Sequence, residues 1–416
     1  MLIRDPVHGD LSLSTLEAAV LDLPEVQRLR GVKQLGTASY VYPGALHTRF
    51  DHSLGASALA HRITAALRRE GVGVPDDLAE LVAVGTLLHD VTHVPFGHTL
   101  EDERRLFPRH DKGTRLGRLL DGALGAGLDR LGIRAEIAGL LGAAASALPG
   151  WAADVISSTI DADLLDYLRR DAYFTGLAHD YDDRVFRYFT VAGDRLALGM
   201  VKHGMDRPDA RSEVIQLLRM RYFLTERVYY HHTKVAAGAM ISKAVELALD
   251  GGALDEVDLL ALNDWTLLDR LRQCGDAAAR LVERLARRDL LKRGYVVSSR
   301  TVDAAQRAAL VRRYHETRAE RHAAERHLSR ALGCADGEAI VYCPALTVMK
   351  EAGARVVTSR GVGVLNDADD PATAEIRALQ ERYAHLWRLY VFVPAPLTER
   401  AADVAGELFG HASEYR

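Results

Sequence analysis

Cysteine is scarce in this chain. Its 416 residues hold three, Cys274, Cys334 and Cys343, without the close pairing of a metal-binding knuckle. A disulfide framework is therefore not expected, and a reducing cytoplasm is. No uninterrupted apolar run approaches the roughly 20 residues of a membrane-spanning helix. The start, Met1-Leu2-Ile3-Arg4-Asp5-Pro6, has no apolar signal region. Neither charge is in marked excess, with 53 Lys and Arg against 57 Asp and Glu and a formal charge of −4. The charge balance thus gives no general pull toward nucleic acid or a membrane surface. Internal repeats and low-complexity tails are also missing. What remains is an ordinary globular composition, 48% hydrophobic and 26% charged. The length predicts two or three domains at about 150 residues each.

Histidine is abundant, with 17 residues, several of them early. One stretch stands out: Leu87-Leu88-His89-Asp90-Val91-Thr92-His93-Val94-Pro95-Phe96-Gly97-His98. An apolar helix from about Leu78 leads into it. If that helix runs one more turn, His89 and His93 share a face. Pro95 forces Val94 out of helical geometry and ends it. Imidazole and carboxylate donors of this kind suit a divalent first-row metal.

Elsewhere the pattern is mostly helical. Residues 48–70 open with Thr48–Gly55 and run on as a helix to about Arg69, with Leu54, Ala58, Leu59, Ile63 and Leu67 on one face. A helix over 154–175 places Asp163, Tyr167 and Asp171 on one ridge, and Gly176 stops it. Residues 185–203 read as a hairpin turning at Gly193-Asp194. Helix returns over 212–249 with Arg221, Tyr229, His231, His232 and Lys234. Two helices follow within 255–288. After about residue 290 the character changes. Strands are expected at 295–298, 339–342, 354–358 and 387–393. Helices are expected at 302–332, 371–386 and 397–409. The expected fold is mainly α: a helical domain over 1–290, then a C-terminal α+β region over 291–416. Helix 302–332 carries Arg312, Arg313, Arg318, Arg321, Arg326 and Arg330, interleaved with Glu316, Glu320 and Glu325. That spacing reads as a salt-bridged solvent face, not a nucleic-acid contact.

His52, the pair His89-Asp90, and Asp163 fall on three separate expected helices. Inward-facing side chains on neighbouring helices are how bundles hold metals. Two nitrogens and two oxygens leave iron, manganese, zinc and magnesium all open. In order and spacing, several motifs resemble the HD-domain phosphohydrolases. They are Asp5-Pro6-Val7-His8-Gly9, Gln27-Arg28-Leu29-Arg30, Lys33-Gln34-Leu35-Gly36, Tyr40–Ala45, His47–Gly55, His89–His98, Asp161–Asp171 and Tyr229–His232. They span about residues 3–235. Within that family the resemblance is to the deoxynucleoside triphosphate triphosphohydrolases. It implies a helical HD-domain bundle and a divalent metal held by His52, His89, Asp90 and Asp163. His93 and His110 would be catalytic histidines. Arg49 would grip the α-phosphate, and His98 and Arg221 would contact phosphates. Gln34, Tyr167, Asp171 and Tyr229 would surround the deoxyribose. The implied reaction releases a deoxynucleoside and intact triphosphate from a homo-oligomer, a dimer or a tetramer.

Three positions depart from that pattern. Leu164 stands where the vertebrate members have a lysine facing the γ-phosphate. Thr225 stands where a histidine is expected, and Thr92 replaces a glycine. A monophosphate or phosphodiester substrate is therefore the alternative, with a non-catalytic nucleotide-binding protein third. Asp22, Gln27 and Arg30 match a regulatory guanine-nucleotide site, but Arg4 replaces an asparagine there. The reading preferred here is that Gln27 and Arg30 brace the adjacent helix.

Overall fold

The computed structural model describes residues 1–109, 114–367 and 373–415. The Arg49–Arg69 helix begins with a reciprocal cap. Thr48 accepts from the Asp51 backbone, and Asp51 accepts from that of Thr48. This fixes the helix start one turn before His52. Its inner face packs on the Asp76–Leu88 helix and on Ala162–Thr175. Phe50, Leu54, Leu59, Ile63, Val82, Leu87, Leu165 and Leu168 form the centre of this first core. No helix among the described residues is long and apolar enough to cross a membrane.

Two breaks differ from expectation. The helix before the histidine stretch ends at Leu88, a turn early. His89 Nδ1 lies 2.6 Å from the Thr86 carbonyl, and successive tight turns follow. His89 and His93 therefore do not share a helical face. The helix expected over 154–175 is two, Gly150–Ile156 and Ala162–Thr175. Ser157 is extended, and Asp161 caps the second helix by accepting from Leu164 N at 2.7 Å. The later helices are also more divided than expected. Pro208–Leu224 runs into a π turn at Thr225–Tyr229 before His232–Asp250. Residues 255–288 hold three helices, and a π turn at Val311–Glu316 splits 302–332.

The hairpin is present as Phe189–Ala192 and Arg195–Gly199. It belongs to a four-stranded sheet with Arg355–Thr358 and Gly361–Val364. The central pairing is parallel, Leu198 opposite Val356 and Gly199 opposite Val357. A strand from beyond residue 290 thus completes a sheet begun before it. Met349, Ala352, Val356, Leu365, Ile376, Leu379, Tyr383 and Leu386 pack into the first core as well. A second sheet sets Arg388–Val393 between Lys292–Ser298 and Ile340–Tyr342. Its faces alternate. Val296, Tyr390 and Phe392 join a second core around the His232–Asp250 helix. Tyr295, Val297, Leu389 and Val391 join a third, under the Arg318–Leu332 and Thr398–Phe409 helices.

The arginine-rich helix is only partly a solvent face. Arg313 pairs with Glu320 at 3.1 Å on its outside. Arg321 and Glu325 are buried. Arg104 pairs with Glu325 at 2.8 Å and also with Glu246, and Lys243 reaches both acids. This network fastens the segment after His98 to the C-terminal region. Removing one partner of a buried charge network leaves uncompensated charge. Arg104→Met is expected to cost about 3 kcal/mol, read as a lower urea midpoint at unchanged slope.

A candidate metal centre among three helices

Three donors converge where the helices meet. His52 Nε2 lies 3.0 Å from Asp163 Oδ1 and 3.3 Å from His89 Nε2. His89 Nε2 lies 3.7 Å from Asp163 Oδ1. Bonds of about 2.1 Å meeting at about 90–125° would separate donors by about 3.0–3.7 Å, so the set fits one small cation. The far nitrogens are committed. His52 Nδ1 is 2.7 Å from Asp166 Oδ2, and His89 Nδ1 faces the Thr86 carbonyl. Each imidazole is thereby aimed with Nε2 inward, the arrangement that orients metal-binding histidines. Asp166 is itself held, by Arg170 Nε at 2.9 Å and by His8 Nε2 at 2.6 Å.

Asp90 stands beside this group. Its Oδ1 is 3.5 Å from His89 Nε2 and 3.1 Å from His93 Nε2. Its Oδ2 receives Arg49 Nη1 at 2.7 Å and lies 3.8 Å from His52. Burial disfavours a charged His52, yet its bonds to Asp163 and Asp166 prevail and raise its pKa to about 10. Burial opposes a charged His89 too, and Asp90 and Asp163 outweigh it in the same direction. The surrounding carboxylates thus call for positive charge at this point. A divalent cation held by His52, His89 and Asp163 would meet that demand and displace the protons.

The turn carrying the other histidines is pinned from outside. Arg28 donates to the carbonyls of Val91 and His93 at 2.9 and 2.8 Å. Asp264 accepts from Phe96 N at 2.8 Å. Phe96 has φ 57°, an uncommon left-handed conformation for a bulky residue. Gly97 follows, and a Cβ there would lie 2.6 Å from Arg49 Nη2. The ring of His93 meets that of His98 edge to face at 4.9 Å, and His98 Nδ1 lies 3.1 Å from Asp102. His110 lies outside the described residues.

The ridge of the Ala162–Thr175 helix leads away from Asp163. Asp171 accepts from the Tyr229 hydroxyl at 2.6 Å and meets His47 Nε2 at 2.8 Å. Burial and the Asp171 charge hold the Tyr229 phenol protonated, so it donates. Gln34 Oε1 is buried without a hydrogen bond among the described residues. The Arg221 guanidinium lies 5.4 Å from the Tyr167 ring and 5.2 Å from the Tyr229 ring. Leu164 is buried in the first core. Thr225 donates to the Arg221 carbonyl at 2.8 Å and lies 3.1 Å from the Tyr383 hydroxyl. Gln27 donates to Leu21 O, and Arg30 to Gln27 while its guanidinium covers Phe50 at 3.6 Å.

Sequence reasoning passed over His8, His47, Asp166, Arg170, Glu351 and Tyr383. Asp166 follows Asp163 by three positions on one helix, and His8 sits in a quoted motif, so both left a signal. Glu351 and Tyr383 left none.

An HD domain matches residues 49–125, and an HD associated region matches 213–415. An uncharacterized protein of Methanocaldococcus jannaschii is 33% identical over 299 residues, covering 70% of this chain and 58% of its own. The deoxynucleoside triphosphate triphosphohydrolase SAMHD1 of Xenopus laevis is 28% identical over 286 residues, covering 58% of this chain and 44% of its own. The chain spans about half the length of these curated relatives. The crystal structure of a phosphohydrolase from Bacteroides thetaiotaomicron superposes with a TM-score of 0.70 at 24% identity, covering 95% of this chain and 99% of that one. With its HD domain continued into an HD-associated region, the chain belongs to the HD-domain phosphohydrolase family and resembles the deoxynucleoside triphosphate triphosphohydrolases.

Proposed function

We propose that this protein hydrolyses deoxynucleoside triphosphates to deoxynucleoside and triphosphate in a metal-dependent reaction. The observation that carries the reading is the convergence of His52, His89 and Asp163 beside Arg49. A divalent ion held there would polarise a phosphoryl oxygen and make water nucleophilic near neutral pH. Asp90 is the proposed fourth ligand and also positions Arg49. Arg49 presents a planar cationic fork suited to phosphate oxygens, and its Nε has no hydrogen bond among the described residues. Water attacks the α-phosphorus, the bond to the 5′-oxygen breaks, and that oxygen takes a proton. His93, next to Asp90, and His110 are the proposed proton donors. His98 is the proposed further phosphate contact.

Asp171 has lone pairs left after binding Tyr229 and His47, so it can accept from a 3′-hydroxyl. The Gln34 carbonyl can do the same, and Tyr167 and Tyr229 wall the sugar. Tyr229, held by Asp171, would crowd a 2′-hydroxyl. The resemblance also leads us to propose a homo-oligomer in the cytoplasm and no nucleic-acid partner.

One set of observations favours a second reading within the same family. Leu164 and Thr225 supply no charge where terminal phosphates would lie. A nucleoside monophosphate or a phosphodiester would not need one. Product analysis separates the two. Metal-loaded protein incubated with each of the four deoxynucleoside triphosphates is expected to yield tripolyphosphate and deoxynucleoside. Orthophosphate from monophosphates, or cleavage of a diester, with all four triphosphates untouched, would replace the first reading by the second.

A further inference from the structure

A segment beyond the helical half reaches the wall of this site. The short 3₁₀ helix Lys350–Gly353 sets Glu351, 1% exposed, against Arg221. Glu351 Oε1 lies 3.3 Å from Arg221 Nε. Neither carboxylate oxygen has a hydrogen bond among the described residues, and Arg221 Nε has none either. Buried carboxylates ordinarily accept several hydrogen bonds, and an ion pair without them leaves desolvation uncompensated. Arg221 is the counterpart. Its guanidinium is flanked by the rings of Tyr167 and Tyr229 and is paired with no acid but Glu351 among the described residues. Tyr167 is one turn from Asp163, and Tyr229 bonds Asp171, so this arginine belongs to the same site. A planar cation with an unsatisfied donor suits a phosphate better than one misaligned carboxylate. Leu164 and Thr225 add no second cation nearby. An internal anion, Glu351, thus sits on Arg221, and it follows Lys350 in sequence, whose charge reaches Asp161.

We propose that Glu351 is a built-in competitor for the anion position at Arg221. A substrate phosphate pairs with Arg221 only by displacing Glu351, so the Lys350–Gly353 segment sets how strongly the site holds extended phosphate chains. The proposal rests on the nucleotide phosphohydrolase reading for its substrate, but not for its test.

The test is calorimetric binding of inorganic tripolyphosphate to the full chain, which needs no turnover. Glu351→Gln keeps the volume and removes the charge. Its dissociation constant for tripolyphosphate is expected to fall about tenfold against the parent protein, and adding Arg221→Ala is expected to abolish that gain. If the protein turns over triphosphates, KM should fall in parallel while kcat changes by no more than about twofold. Binding equal to or weaker than that of the parent would overturn the proposal and make Glu351 a positioning residue for Arg221. Failure of both proteins to bind would overturn it too, because Arg221 would then take no phosphate even when released. Tighter binding by Glu351→Gln with no hydrolysis of any triphosphate would support the proposal and count against the reaction instead.

Discussion

His89→Ala is expected to strip the protein of divalent metal and to lower hydrolysis by at least about a thousandfold. His89 supplies one of three converging donors, and its ring is oriented from behind by the Thr86 carbonyl. Alanine leaves His52 and Asp163 facing a gap, with Asp90 turned toward Arg49. Two donors do not hold a first-row ion against water at working concentrations. The fold should survive, because His89 follows the last residue of its helix and lies outside the apolar cores. Elemental analysis after dialysis, beside a thermal melt, checks both halves of the expectation. Full metal content with an unchanged rate would remove His89 from the ligand set.

Gly55→Ala is expected to be strongly destabilising. Gly55 sits inside the Arg49–Arg69 helix, where glycine costs about 1 kcal/mol relative to alanine. Substitution would therefore normally help. Here a Cβ would fall 1.9 Å from Asp166 Oδ1 and 2.2 Å from Arg170 Nη2. Those atoms belong to the buried set of His8, Asp166, Arg170 and Asp5 that orients His52. The two helices can meet only at a position without a side chain. Forcing them apart breaks buried charge pairs, at about 3–5 kcal/mol, and turns the His52 ring away from Asp163. Urea unfolding should show a large drop in midpoint, and the folded fraction should bind metal weakly. A variant as stable as the parent would mean that the helices tolerate a wider spacing.

The candidate site was legible in the sequence where chemistry is local. The apolar face of Leu54, Ala58, Leu59, Ile63 and Leu67 marks the helix that carries His52. Asp163, Tyr167 and Asp171 keep the ridge that their spacing predicts. Legibility failed where one group competes with the backbone for its own carbonyl or amide. His89 takes the Thr86 carbonyl and ends a helix that periodicity would continue, and Asp161 restarts one that periodicity never interrupts. It failed again at long range. Arg321 and Glu325 alternate like surface charges, and only Arg104 and Glu246, from elsewhere in the chain, make them interior. Nothing near Val356 indicates a parallel partner at Leu198, so Glu351 and Tyr383 could not be assigned to the site.

That late pairing has a consequence for synthesis. At about 5–20 residues per second, the ribosome needs roughly 6–24 s to pass from Val228 to Met349. Throughout that interval the early helices have an apolar surface whose cover has not been made, which is a window for chaperone binding or aggregation. All three converging ligands have been synthesised by Asp163, long before. The nascent chain therefore passes through a stage in which the three ligands have been made and the core cover from Met349, Ala352, Val356, Leu365, Ile376 and Leu379 has not.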